Sequence, residues 1–348
     1  MTAEGREAYG STPMDTTFEV TEQSQVAQVR RLAVEIGRAQ GLSEADMGRA
    51  ALVATEVSTN LVKYGKKGTV TLGPFFDEGS TGIQLIAVDQ GPGFADFRAA
   101  ARDGHSTGGS LGIGLGVIMR ASDLFDTYTP PATPGSAFLS RVARHRTAPG
   151  ASAARLAIGA RRASMRGEVE CGDAWMHDRC GRWDRLCIAD GLGHGPLAAI
   201  ASQAAVSAFL ASSEEDTPVE IVQRCHAALQ ATRGAVLGVA AIDQAAGRFL
   251  FAGVGNITGM HHSSQGTSHL LSTEGIVGHR IRKVRLVERT WSAGDAVALS
   301  TDGLSGRWNL ARYPGLLQCH PLLVASVLFR DFGRDTDDAT VVVAKDLR

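Results

Sequence analysis

The sequence predicts two α+β domains in tandem, and three observations lead there. The chain has 348 residues, more than one average domain of about 150 residues holds. Residues 145–154 mix Pro, Gly, Ser and Ala with basic residues and lack any apolar period, which marks a linker. Beyond that stretch the pattern becomes runs of strands broken by one pair of helices, which favours an α+β sandwich over a parallel βαβ sheet. The boundaries that follow are a first domain at 16–144, a linker at 145–154 and a second domain at 155–348.

Within the first domain, residues 1–15 read as a frayed leader, followed by a strand at 17–20 and a helix at 24–40. Ser43 with Asp46 three residues on is a helix-starting box. The next helix places Ala50, Val53, Val57, Leu61 and Tyr64 on one face, and Gly65 is its stop. Strands are expected at 69–72, 82–88 and 136–143, with a glycine-rich stretch at 104–116 running into a helix. In the second domain strands are expected at 156–160, 168–176, 185–189, 236–242, 248–254, 284–291, 296–300 and 340–344, and helices at 196–212 and 218–232.

Bulk properties exclude several classes. A formal net charge of -1 provides no basic field to recruit nucleic acid. No apolar run is long enough to span a bilayer, and residues 1–15 lack a signal-peptide layout. Five cysteines, an odd number scattered over the chain, imply reduced thiols and a cytoplasmic setting. Cys171, His177, Cys180 and Cys187 match no paired zinc-knuckle spacing and read as core thiols. His261 and His262 read as strand-end surface. Neither a eukaryotic-type kinase signature nor a nucleophile elbow is present.

The first chemical constellation begins with Glu56 and Asn60, four apart on a helix and therefore on one side of it. An amide oxygen ligates Mg²⁺, and a neighbouring carboxylate can take a proton from an attacking hydroxyl. Alone, the pair is equally two solvated polar residues. Asp89-Gln-Gly91-Pro-Gly93 follows a strand and offers a fixed acceptor beside a backbone that can approach a flat ring, although it is also good turn chemistry. Gly108 to Gly116 can cradle phosphate with bare amides at a helix start. Its spacing fits neither the dinucleotide fingerprint nor a Walker loop.

Taken in order, Glu56-x-x-x-Asn60, Asp89-x-Gly91-x-Gly93 and Gly112-x-Gly114 resemble the GHKL superfamily of ATP-binding domains. Asp89-Gln-Gly-Pro-Gly-Phe and Asp103-Gly-His-Ser-Thr-Gly-Gly-Ser-Leu-Gly are similar to the anti-sigma-factor-type serine/threonine kinases, in particular the switch kinases of stressosomes. The resemblance covers residues 16–144 and implies a Bergerat-type α/β sandwich that binds ATP with Mg²⁺. It implies Mg²⁺ on Asn60, a catalytic base at Glu56, adenine read by Asp89 with Gly91, Gly93 and Ser136, and phosphates enclosed by Thr107, Gly108, Gly112 and Gly114.

The second constellation is four aspartate motifs at strand ends: Cys171-Gly172-Asp173, Asp190-Gly191-Leu192-Gly193-His194, Thr301-Asp302-Gly303 and Asp337-Asp338-Ala339-Thr340. Each is turn chemistry by itself. Gathered together they need cations, because two carboxylates about 4 Å apart repel by roughly 4 kcal/mol at an effective dielectric near 20. All-oxygen ligation favours Mg²⁺ or Mn²⁺ over Zn²⁺. A pair of such ions can activate water for attack on phosphorus without a cysteine nucleophile.

This pattern, with Phe251-Ala-Gly-Val-Gly-Asn256-Ile and Gly294-Asp295, resembles the metal-dependent protein phosphatases (PPM, type 2C) in their SpoIIE-like branch, especially the small stressosome feedback phosphatase. It covers residues 153–348 and implies an α-β-β-α sandwich holding two Mn²⁺ or Mg²⁺ ions. The implied ligands are Asp190 (bridging and catalytic), Asp173, Asp302, Asp337 and the Gly191 carbonyl, with Asp338 behind them. The family's arginine for substrate phosphate has no clear counterpart. His194 reads as helix-entry packing.

The two resemblances together imply a bifunctional regulator of partner switching. It would phosphorylate and dephosphorylate Ser/Thr on STAS-domain proteins of a stressosome or sigma-factor network. The rival is a phosphatase whose first domain binds ATP and a partner without phosphorylating it.

Overall fold

The computed structural model describes residues 7–10, 15–77, 80–93, 111–130, 134–144 and 156–347. In chain order the first elements are β1 (Glu7–Gly10), β2 (Thr16–Glu19), α1 (Gln23–Ala39), α2 (Glu44–Tyr64), β3 (Thr69–Asp77), β4 (Ser80–Asp89), α3 (Leu111–Ala121), β5 (Leu124–Tyr128) and β6 (Ser136–Ala143). Next come β7 (Leu156–Ala163), β8 (Asp173–Cys180), β9 (Trp183–Gly191), α4 (Pro196–Leu210), α5 (Pro218–Ala228), β10 (Ala235–Asp243), β11 (Arg248–Val254), β12 (Thr258–Ser263) and β13 (Gly266–Leu270). The short hairpin β14 (Gly275–Ile276) and β15 (Arg280–Ile281) precedes β16 (Val287–Thr290), β17 (Ala296–Ser300), α6 (Pro321–Phe332) and β18 (Ala339–Asp346).

These elements gather into two compact units. One is Thr12–Ala153 with Asn309–Arg330; the other is Met1–Ser11, Ala154–Trp308 and Asp331–Arg348. Two stretches therefore leave the tandem order expected from the sequence. β1 is not a frayed leader but an edge strand of the second unit, paired antiparallel with β8 from Glu7 opposite Arg179 to Gly10 opposite Met176. Asn309–Arg330 groups with the first unit.

In the first unit, five antiparallel strands run in the order β2-β3-β4-β6-β5. Ser43 caps α2 by accepting from the Asp46 amide (3.1 Å), and the Gly65 N–H closes the far end on Leu61 O. α2 buries Ala50, Val53, Ala54, Val57 and Leu61 against Val70, Leu72, Leu85 and Ala87 of the sheet. That apolar stripe fixes the helix rotation, and with it the direction of Glu56 and Asn60. α3 starts at Leu111, several residues earlier than the run of glycines suggests. Leu115 and Ile118 are buried in the same core, so tertiary packing overrides the poor helix propensity of glycine.

In the second unit, a six-stranded sheet β1-β8-β9-β10-β11-β16 faces a five-stranded sheet β13-β12-β17-β18-β7. The period-two rule is visible in β9. Leu186 and Ile188 enter the core shared with Val297, Leu299 and Val342 of the other sheet, while Cys187 and Ala189 pack under Phe209, Ile221 and Val222 of α4 and α5. A strand covered on both faces reads as one apolar run, as β9 and β10 do. The pleat then places the aspartates at the strand ends. His261 and His262, expected at the surface, are buried in β12. Phe249 and Trp291 stack on His261, whose Nε2 lies 3.3 Å from Asp295 Oδ2, and burial pushes the His262 imidazole down to about 4.

Candidate functional site

In the first unit, Glu56 and Asn60 stand half-buried on one side of α2. Gly114 of α3 comes so close that a Cβ there would lie 2.9 Å from Glu56 Oε2 and 3.8 Å from Asn60 Nδ2. Gly112 is in the first turns of the same helix, whereas Thr107 and Gly108 lie outside the described residues. At the end of β4, the buried Asp89 sits opposite Ser136 of β6. Its Oδ1 accepts from the Gly91 amide (2.5 Å), and its Oδ2 accepts from the Ser136 hydroxyl. A side chain on Gly91 would collide with Tyr64 O and Asp89 Oδ1. Gly93, with φ +69°, turns the chain next to Thr129. Among the described residues each Asp89 oxygen receives one hydrogen bond, which leaves each a lone pair for a further donor.

In the second unit, Asp173 and Asp190 face each other across β8 and β9 in a direct register pair. Asp302 lies in the turn after β17 and Asp337 two residues before β18. The Thr301 hydroxyl donates to Asp173 Oδ2 (2.8 Å) and itself accepts from the Thr340 amide (2.9 Å), tying two of these strand ends together. Asn256 Nδ2 donates to Asp302 Oδ2 (2.7 Å). Asp338 uses both oxygens, taking the Met165 and Gly172 amides (2.8 Å each). Among the described residues Asp337 Oδ1 takes only the adjacent Asp338 amide (2.9 Å). Gly191 cannot carry a side chain, because a Cβ there would be 2.0 Å from Ala198 O.

The electrostatics record the convergence. Burial first, then Asp173, Asp302 and Asp337, pushes Asp190 up to about 9. Burial likewise takes Asp173 to about 7, against the Thr301 and Thr340 hydroxyls and with the help of Asp338 and Asp302. Asp337 is raised by burial and by Asp302 and Asp338. Among the described residues Asp173 Oδ1 is buried with no well-aligned hydrogen-bond donor, a deficit of about 1–3 kcal/mol that a cation would remove. Among the described residues no three His, Cys, Asp or Glu side chains close around one point. A divalent ion here would keep water in its shell, as Mg²⁺ prefers. The donor set and the orphaned oxygen fit a hard divalent cation.

Arg233, which no motif flags, reaches this mouth. Its Nη1 would be 3.0 Å from a Cβ on Gly193, in the loop that follows Asp190. The loop carrying Arg233 is braced on both sides: Arg233 O lies 2.8 Å from His279 Nε2, and Gly234 O accepts from the Leu192 amide (3.0 Å). His194 Nδ1 lies 2.7 Å from Glu168 Oε1, so it is a hydrogen-bond partner at the entry to α4. All five cysteines are free, and burial raises the Cys171 thiol to about 12.

Comparison with known proteins agrees with this division. Residues 19–134 match the histidine kinase-like ATPase domain, and residues 184–345 match the stage II sporulation protein E (SpoIIE) family. The fold and the two clusters thus define a GHKL-type ATPase domain followed by a PPM-type phosphatase domain. Over 100 residues the chain is 36% identical to the serine/threonine-protein kinase RsbT of Bacillus subtilis (strain 168), covering 29% of this chain and 75% of RsbT. Over 140 residues it is 29% identical to the phosphoserine phosphatase RsbX of the same organism, covering 40% of this chain and 70% of RsbX. RsbX has also been solved in complex with magnesium (22% identity, 56% of this chain, 98% of that one, TM-score 0.49). A solved chain from work on the bacterial stressosome, a modular system adapted to control secondary messenger signalling, is 32% identical and covers 54% of this chain and 98% of that chain, with a TM-score of 0.51. The chain belongs to the RsbT family of serine/threonine-protein kinases through its first unit and joins to it a SpoIIE-type phosphatase domain related to RsbX.

Proposed function

We propose that the protein is a bifunctional switch that phosphorylates and dephosphorylates serine or threonine on STAS-domain proteins of a stressosome or anti-sigma network. The observation that supports this reading is the electrostatic influence of Asp173, Asp302 and Asp337 on the buried Asp190 carboxyl, in the same chain as a glycine helix laid against Glu56 and Asn60. Opposed activities on one chain also raise the effective concentration of each at a shared substrate. Five free cysteines suit a reducing cytoplasm, and among the described residues no helix is long and apolar enough to cross a membrane.

In the first unit, Asp89 accepts from the exocyclic amine of adenine, and Gly91 and Gly93 leave room for the ring. Asn60 would hold Mg²⁺ beside the ATP phosphates, with Gly112 and Gly114 leaving room for them; the same role is proposed for Thr107 and Gly108, which lie outside the described residues. Glu56 takes the proton of the attacking hydroxyl as the oxygen–phosphorus bond forms and ADP leaves. In the second unit, Asp173, Asp190, Asp302, Asp337 and the Gly191 carbonyl would hold two Mn²⁺ or Mg²⁺ ions. Such a pair supplies charge neutralisation and an activated water. Thr301 and Asn256 keep their carboxylates aimed, and Arg233 offers its guanidinium fork to the phosphate monoester.

The test is transfer of labelled γ-phosphate from ATP to purified STAS-domain proteins, with Glu56→Ala as control. Expected is labelled serine or threonine with the wild type and none with the variant. Tight ATP binding without transfer to any such protein contradicts the kinase half and leaves a binding module.

A further inference from the structure

The segment His279-Arg280-Ile281-Arg282-Lys283-Val284-Arg285 carries four formal positive charges and no negative one, in a chain whose formal net charge is -1. It lies wholly in the second unit. Packing sorts its apolar and charged positions. Ile281 and Val284 pack against the core that holds Leu229, Val254 and Val277, whereas Arg280, Arg282, Lys283 and Arg285 are exposed. The two apolar side chains hold the backbone down and leave the cations in solvent. Arg282 pairs with Glu274 (3.0 Å), and both stay largely exposed. Among the described residues Arg280, Lys283 and Arg285 have no acidic partner.

The backbone of this segment is fastened to the phosphatase mouth. Gly275 and Ile276 pair antiparallel with Ile281 and Arg280, and the Arg285 amide donates to Thr273 Oγ1 (3.3 Å). Val277 and Ala235 exchange both backbone hydrogen bonds (2.8 and 3.0 Å), and the Gly278 amide donates to His226 Nδ1 (3.0 Å). His279 Nε2 donates to Arg233 O (2.8 Å). A Cβ on Gly234, with φ +79°, would lie 2.7 Å from His279 Cδ2, so the two loops touch directly. The cations therefore sit next to the loop whose Arg233 guanidinium stands against Gly193, three residues beyond Asp190. A lone surface cation contributes little to any pairing. Three uncompensated ones on one braced segment add their fields over a Debye length of about 10 Å at roughly 0.1 M salt, and steer an anionic partner to the adjoining mouth.

We propose that residues 280–285 form a docking rim that selects phosphoprotein substrates with acidic side chains flanking the phosphoserine or phosphothreonine. The inference rests on the phosphatase reading above and names the class of substrate that site takes. The acidic flank pairs with Arg280, Lys283 and Arg285 while the phosphate monoester enters beside Arg233. Because the rim stands outside the carboxylate cluster, it acts on capture of the substrate and not on the chemical step.

Phosphoserine peptides of equal length, flanked by glutamates, glutamines or lysines, test this alongside p-nitrophenyl phosphate, which has no flank. Phosphate release is measured with the full chain and Mn²⁺, and peptide binding by fluorescence anisotropy with chelator present. Expected is a kcat/KM at least ~10-fold higher for the glutamate peptide than for the glutamine one, carried by KM and lost as salt rises from about 0.05 M to about 0.5 M. Replacing all three cations, Arg280→Gln with Lys283→Gln and Arg285→Gln, should abolish the preference. Arg280→Glu with Lys283→Glu and Arg285→Glu should reverse it toward the lysine peptide, with p-nitrophenyl phosphate still cleaved at the wild-type rate. A purely structural role would lower every rate together in both variants, which overturns the proposal. Equal KM values for the glutamate and glutamine peptides in the wild type do the same. So does binding to phosphatidylserine vesicles that the variants lose while their peptide preference is unchanged, which assigns the cations to a lipid surface. No phosphate release from any substrate, with the glutamate peptide still bound more tightly, sinks the phosphatase reading and leaves the docking rim standing.

Discussion

Asp190 combines two properties that a stability experiment separates from catalysis. Its carboxyl is raised to about 9 and that of Asp173 to about 7, both above the usual carboxylate range, so the folded metal-free chain binds more protons than the unfolded one. The stability this gives is fully present below about pH 4 and is lost as pH rises through the raised values. With chelator present, the midpoint of thermal unfolding should fall between pH 5.5 and pH 9, and Mn²⁺ should raise it most at the alkaline end. In Asp190→Asn the metal-free protein should depend less on pH, and phosphate release should drop by at least ~100-fold, beyond the usual range for residues that only support a ligand. Thr301→Val removes the hydroxyl on Asp173 and should weaken Mn²⁺ binding by about 10–100-fold with little loss of fold, read by titration calorimetry. A wild-type pH profile identical to that of Asp190→Asn would contradict the clustering of charges. At this scale the aspartates were legible because turn chemistry at strand ends is explicit in the sequence. Arg233 was not, since an arginine in a loop carries no pattern of its own. The histidines of β12 were misread because their polarity suggests surface while Phe249 and Trp291 bury them.

Among the elements, α3 shows packing and propensity in conflict. Glycine in a helix interior costs up to about 1 kcal/mol relative to alanine, yet Gly114 is where α3 meets Glu56. Gly114→Ala should leave thermal stability equal or slightly higher, because the atom in the way is the movable end of a Glu side chain. Phosphoryl transfer should nevertheless fall by about 10-fold or more, as small displacements of a positioned group are expensive in rate. Equal transfer rates would show that Glu56 needs no room there. The α2 boundaries were legible from Ser43, Asp46 and Gly65, each of which satisfies a stated backbone group. The start of α3 was hidden by its glycines, and β1 by its polar sequence, because its attachment to β8 is made by backbone pairing. The nearly continuous apolar run of α6 gives no amphipathic period to read; the sequence reading put Asn309–Arg330 in the second domain, and the SpoIIE match at 184–345 includes it.

For the molecule as a whole, the two fold classes followed from motif order and strand runs, whereas the placing of β1 depends on a long-range pairing with β8 that no local window contains. The central claim is that one chain adds and removes the same phosphate. It is tested most directly by ADP formation with ATP in excess and a limiting, fixed amount of a STAS-domain protein. The wild type should produce many equivalents of ADP per substrate molecule, Asp190→Ala should stop near one, and Glu56→Ala should produce none while still dephosphorylating pre-phosphorylated substrate. Continued turnover in Asp190→Ala, or a wild type that stops at one equivalent, would contradict it.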